Sequence, residues 1–238
     1  MSIDRTDSRD ARPGIADPAA RLAGLLYIGT IAGGLYAELG VRARVRTDDA
    51  VATLHNIQQS PDFYRAGEMA DLLMLGCYVV VTALLYRLFA PFARSLSLVA
   101  AGFSLVGIAV LAVAGVFHLA PLALIGDGAA ADSARLAQLA LRLHANLYGI
   151  SLVFFGVYCV LIGWLCYASR WLPRTIGALM IVGGLAHLLS RSAWLLAPHA
   201  ANLIPAPIAM LPLLGEAALA IWLVVFGMRT AEKSTAAP

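Results

Sequence analysis

The sequence predicts an all-α polytopic integral membrane protein, a bundle of six transmembrane helices. Three observations predict it. Hydrophobic residues make up 61% of the 238 positions and charged residues only 13%, against roughly 25% charged in a soluble domain. The mean hydropathy is +0.80. The apolar residues come in long runs, several of them able to cross a hydrocarbon core of about 30 Å as a helix. The polar ends of the chain read as disordered tails, residues 1–20 and 230–238, around a single transmembrane domain spanning 21–229.

The first segment runs from about Arg21 to Val41. Tyr27, Thr30, Gly34 and Glu38 recur on it at helical spacing, and Gly29 and Gly33 form a GxxxG pair suited to close helix approach. No A-x-A-like cleavage site follows, so it reads as a retained helix and not a signal peptide. The loop from Arg42 to Gln59 has the pattern of a short amphipathic helix. Thr47 or Asp48 would cap it, and Val51, Leu54 and Ile57 would share a face.

Ser60-Pro61 opens the second segment, which continues to about Phe89 with Glu68 and Asp71 in its early turns. Ala90-Pro91 breaks the chain. The third segment covers about Ser95 to Leu124 and carries His118 near its far end. After IGDGAAADS comes the fourth, Leu136 to Arg170, on which the bundle is expected to be organised. Its Gly149, Gly156 and Gly163 recur every seven residues as one smooth stripe, and Arg142, His144, Asn146 and Tyr148 cluster at its start. Trp171-Leu172-Pro173 punctuates the next turn. The fifth segment, Pro173 to Leu196, places His187 and Arg191 four residues apart, and the sixth ends near Met228 with Glu216 inside it.

Lysine and arginine placement orients the bundle. With the N-terminus cytoplasmic, ten of these residues lie inside and five outside, with Arg142 and Arg191 within helices. Both termini are then cytoplasmic. Glu38, Asp71, His118, Arg142, His144, His187, Arg191 and Glu216 all fall in one half of the bilayer, the outer half in this orientation. A charge in lipid costs about 2.5–3.5 kcal/mol on insertion scales. A shared polar layer is therefore expected, either a structural ion-pair network or a pocket. Helical geometry sets Arg142 and Asn146 on the glycine-stripe face and His144 and Tyr148 nearly opposite. One narrow pocket should not receive both pairs.

Several chemistries fit such a layer. Glu38, Asp71 and Glu216 could divide acid and base roles if their environments differ. Arg142, His144, Asn146, Tyr148, His187 and Arg191 could hold a substrate, with an arginine offering a planar bidentate donor to an anionic head group. His118, His144 and His187 offer ligands for a divalent metal, but no HExxH or paired HxxxH spacing supports it, and the metal is not favoured. Cys77, Cys159 and Cys166 sit in apolar runs without a CxxC pair and read as small buried hydrophobes. No basic stripe with interleaved aromatics suits nucleic acid.

The chain resembles a bacterial family of multi-pass membrane proteins catalogued as domain of unknown function 4386. The resemblance is carried by RLAGLLYIGTIAGGLYAE, EMADLLMLGCYVVVTALLYRLFAPFARSLSL, LHANLYGISLVFFGVYCVLIGWL, SRWLPRTIGALMIVGGLAHLL and GEAALAIWLVVFGMR, covering about Arg21 to Arg229. It implies a six- or seven-helix protein of the inner membrane and supplies no activity or catalytic residues. Two functional classes follow from the residues. In one, a membrane-embedded enzyme acts on a lipid or other amphiphile with the three carboxyls as acid/base groups. In the other, the protein binds or moves a small solute or protons without converting it. Membrane lipids are the expected partners, and the glycine-rich faces could serve oligomerisation.

Overall fold

The computed structural model describes residues 17–124, 130–196 and 205–228. Residues 1–16 and 230–238 of the predicted tails, and parts of the loops carrying Asp127, Pro198 and His199, lie outside the described residues. Residues 18–20, expected in the disordered tail, are instead the first turn of a helix, with Ala19 and Ala20 buried. Helix α1 (Pro18–Leu35) starts where Asp17 accepts a hydrogen bond from the Ala19 N– H at 2.8 Å, with proline at the first helical position. It does not stop at Val41. The chain continues through a π-helical stretch, Tyr36–Arg42, and one further α-turn, Ala43–Val45. Hydropathy ends the helix before Arg42 because an unpaired guanidinium belongs in water. Here Arg42 is paired and buried, so the helix runs on.

Helix α2 (Ala50–Gln59) is the expected short amphipathic helix, with two differences. Asp49, immediately before the first helical residue, is the cap and accepts from the Val51 N–H at 3.0 Å. The buried face is Thr53, Leu54 and Ile57, while Val51 is exposed. Thr47 turns back onto this face, its N–H donating to Thr53 Oγ1 at 2.9 Å.

Helix α3 (Pro61–Ala123) is 63 residues long. A straight helix of that length would measure about 95 Å at 1.5 Å per residue, some three bilayer cores. It bends back instead at Ala93, whose φ of −151° and ψ of 81° leave the helical region. The break falls two residues beyond Pro91, which lacks the N–H its helix position calls for. Ser97 Oγ donates to the Ala93 carbonyl at 2.9 Å, using an acceptor at the break. Contacts between the limbs prove the reversal. Thr82 and Ser104 hydroxyls lie 2.6 Å apart, and nearer the open end the Tyr64 hydroxyl donates to the His118 carbonyl at 2.7 Å.

Helix α4 (Ala130–Ser169) is followed by a turn in which Arg170 adopts a φ of 60° and Trp171 stacks on Phe89. Helices α5 (Arg174–Leu196) and α6 (Ala206–Val225) are the last helices among the described residues. Counting the limbs of α3 separately, six rods form the bundle. Packing runs α1 to α3 to α4 to α5 to α6 and back to α1, a closed ring.

Glycines set its tightest seams. A Cβ on Gly163 would meet the Gly177 carbonyl oxygen at 2.7 Å, and one on Gly184 would meet the Gly156 carbonyl oxygen at 2.6 Å. The heptad stripe of α4 is thus spent on α5 within the same chain. Gly24 closes the ring against Ala220 of α6, and Gly33 lies against Met74 of α3. The main core, centred on Tyr27, Tyr78, Tyr158, Leu165 and Leu219, fills the middle of the bundle. A smaller cluster of Val41, Val45, Ile57 and Tyr64 seals the end that carries α2.

Candidate functional site

The polar residues at the α2 end are organised by Arg42. Its Nε donates to Glu38 Oε2 at 2.7 Å, and its Nη1 donates to Asp71 Oδ2 across the α1–α3 interface. Glu38 Oε1 also accepts from Arg46 at 2.9 Å. The i, i+4, i+8 spacing of Glu38, Arg42 and Arg46 is the signal in the sequence for this chain of contacts, although of the three only Glu38 is an expected site residue. Arg42 and Asp71 are both buried. Breaking a pair like this strands a charge at high cost, although its net contribution relative to an apolar pair is small. Glu38 and Asp71, expected as acid/base groups, are therefore both engaged in holding a cation.

Behind the ion pairs lies an aromatic and imidazole cluster. Tyr64 stacks on His118 with ring centroids 4.2 Å apart, and His118 lies 5.3 Å from His144. His144 Nδ1 is 3.0 Å from the Ala114 carbonyl oxygen. A carbonyl only accepts, so this nitrogen carries the proton and Nε2 keeps its lone pair. His118 is fully buried, and neither ring nitrogen has a hydrogen-bond partner among the described residues. Glu68, one turn along from Tyr64, occupies the notch left by Gly115, where a Cβ would stand 2.0 Å from its Oε1.

A cavity of about 230 Å³ opens in front of this cluster. Arg42, Arg46, Arg142, Gln138, Tyr64 and His144 supply its polar wall, and Val45 and Leu141 are among its apolar lining. Arg142 and His144 line it together, contrary to the expectation from a helical wheel. Gln138 and Ala145, about one turn before and after Arg142, line it too, so the cavity spans a broad arc of α4 and not one narrow face. Arg142 forms no ion pair with any described residue. Tyr148 lies behind His144, with ring centroids 6.3 Å apart, and Asn146 is exposed.

Three expected residues stand elsewhere. His187 packs against Gly156, twelve residues beyond His144 on α4, which is about 18 Å along the axis. Arg191 lies against Gly149, and its Nε is buried without a partner. The trio of His118, His144 and His187 therefore does not assemble. Among the described residues no set of three His, Cys, Asp or Glu side chains is disposed to hold a metal ion. Glu216 is also separate from Glu38 and Asp71. It meets Tyr78 and Cys159 near the middle of the bundle, each at 3.4 Å from Oε1. The single polar layer is thus two sites at different depths, because α6 enters with Glu216 ten residues inside its start.

Helical composition, the folded-back α3 and four helices long and apolar enough to cross a membrane define an all-α polytopic membrane protein. Within that class the chain belongs to the family described as Domain of unknown function (DUF4386), whose model matches residues 22–227. No curated protein and no solved structure matches it.

Proposed function

We propose that this protein binds an amphiphile by its anionic head group in the cavity at the α2 end. The observation that carries the proposal is the charge balance of that wall. Among the described residues, three guanidinium groups, Arg42, Arg46 and Arg142, meet only two carboxylates, Glu38 and Asp71, and Arg142 lines the cavity without an acidic partner. A phosphate or carboxylate head would supply the missing charge, and guanidinium groups bind such anions with paired donors. Val45 and Leu141 offer the adjoining apolar surface. In the same proposal the α2 end faces outward from a bacterial inner membrane and the termini are cytoplasmic, in keeping with the arginine bias.

Conversion of the bound molecule is a second reading, and His144 favours it. Its Nδ1 proton is committed to Ala114, so the Nε2 lone pair is the acceptor available on a residue of the cavity wall. That is the arrangement of a general base. Glu38 and Asp71 then serve by fixing Arg42.

Thermal unfolding of the detergent-purified protein tests binding. A short-chain anionic phospholipid should raise the midpoint, and a phosphocholine of the same chain length should not. Arg142→Ala should weaken the anionic lipid about 10- to 100-fold, the range expected for losing charge-assisted hydrogen bonds of roughly 1.5–3 kcal/mol. Equal stabilisation by both lipids, or an unchanged response in the variant, would sink the reading. His144→Gln with binding retained and turnover lost would establish conversion.

A further inference from the structure

The middle of the bundle holds a second polar site that the cavity reading does not use. Glu216 projects from α6 toward Tyr27 of α1, Tyr78 of α3, and Tyr158 and Cys159 of α4. The neighbouring stretch of α5 offers Leu179, Met180 and Gly183, none of which titrates. Among the described residues no arginine, lysine or histidine forms an ion pair with Glu216. The hydroxyl hydrogen bond it receives, from Tyr78, is long. Tyr78 and Cys159 donate to the same oxygen, Oε1, each at 3.4 Å. A hydroxyl bound to an ionised carboxylate ordinarily closes to about 2.5–2.7 Å. Two further hydroxyls, of Tyr27 and Tyr158, are sealed from solvent, and neither reaches full hydrogen-bond geometry with any described residue. The Tyr27 hydroxyl faces the Glu216 carboxyl without reaching hydrogen-bond geometry. The Tyr158 ring meets Tyr78 edge-on at 6.0 Å.

A carboxylate among neutral groups at this depth leaves a charge with nothing to balance it, at a cost of several kcal/mol. Binding one proton removes the charge. It also gives the carboxyl an O–H to donate, and an orphaned tyrosine oxygen beside it can accept. We propose that Glu216 is an intramembrane proton-binding site, loaded as the neutral acid, with the hydroxyls of Tyr27 and Tyr78 and the Cys159 thiol forming its shell. The ligand is a proton and not a metal cation, because the described groups offer a single carboxylate and otherwise weak donors to a cation. This site is independent of the cavity at the α2 end, and either proposal can fail alone.

The test is carbodiimide labelling of the full-length protein in detergent, with the adduct located by peptide mass spectrometry. A hydrophobic carbodiimide takes the proton of a neutral carboxyl on nitrogen, and the carboxylate oxygen then adds to its central carbon, so a carboxyl without a proton does not react. Glu216 should be modified, more slowly as pH rises, while Glu38 and Asp71, both engaged by Arg42, stay unmodified. Labelling of Glu216 suppressed in proportion to added sodium, lithium or calcium would overturn the proton assignment in favour of a metal cation. The infrared carbonyl band of a protonated carboxyl decides if the reagent leaves Glu216 untouched. In a Glu68→Gln background, which removes the other buried carboxyl without an ion pair among the described residues, that band should be present at neutral pH and lost on adding Glu216→Gln, with α-helical circular dichroism showing that the variant is folded. No adduct together with no such band difference would overturn the proposal. If Glu216→Gln does not fold, the pH dependence of the band in the Glu68→Gln protein, read with the adduct map, decides between the same two outcomes.

Discussion

Replacing Asp71 by alanine strands the Arg42 guanidinium between α1 and α3 with only Glu38 as partner. Removing one member of a buried pair costs about 3–5 kcal/mol, and the lower end applies here because Glu38 still engages Nε. Asp71→Ala should therefore lower unfolding stability by about 3 kcal/mol in a denaturing-detergent titration. The double variant Arg42→Met/Asp71→Leu should recover most of that loss. If the double variant is as unstable as the single one, the ion pair does more than cancel its own charges. By contrast, Arg65→Ala removes an exposed pair with Asp62 and should leave the titration unchanged. At this scale the sequence shows which side chains carry charge in the membrane but not how they divide. A linear pattern leaves Arg42 in a loop, since nothing in it reveals that Asp71, 29 positions away, arrives to neutralise the guanidinium.

Helix contacts turn on whether a glycine is needed for close approach or merely present. Gly184 is needed, since a side chain there would press on the Gly156 carbonyl. Gly184→Val should destabilise by about 1–3 kcal/mol, the usual cost of overpacking. Gly76 has nothing within 4 Å of where a Cβ would sit. Gly76→Ala should stabilise by about 0.5–1 kcal/mol through helix propensity alone. The same denaturing-detergent titration reads both. The seven-residue recurrence of Gly149, Gly156 and Gly163 announces the seam with another helix. Its partner, α5 of the same chain, becomes visible only on folding. The reversal of α3 has its own check. In a background without native cysteines, Thr82→Cys/Ser104→Cys should form a disulfide with a membrane-permeant oxidant, as the two hydroxyls lie 2.6 Å apart. A continuous rod would place those residues about 33 Å apart at 1.5 Å per residue and give no bond.

The whole molecule is a closed ring with opposite ends of different character, α2 and its cavity at one and the Ala93 turn at the other. Single cysteines at the exposed positions Val51 and Arg94 report on its orientation. With a membrane-impermeant maleimide on intact cells, Val51→Cys should label directly and Arg94→Cys only after permeabilisation. The reverse pattern would invert the bundle and the side from which the cavity is reached, leaving its geometry intact.

Hydropathy and turn chemistry determined the class, the six crossings and most of their ends, because lipid penalises every unpaired backbone or charged group and so forces long apolar runs bounded by polar ones. The same penalty made the buried charges legible as a set worth explaining. Tertiary structure alone decided how that set is shared out. It gave Asp71 and Glu38 to Arg42, brought Arg142 and His144 to one cavity, and left His187 about 18 Å from His144 along the bundle axis. It also set Glu216 among tyrosines in the middle of the bundle. Those outcomes depend on which helix neighbours which, on a fold-back two residues past a proline, and on the depth at which each helix starts. A one-dimensional pattern records the polarity of a face and not the identity of what lies across from it.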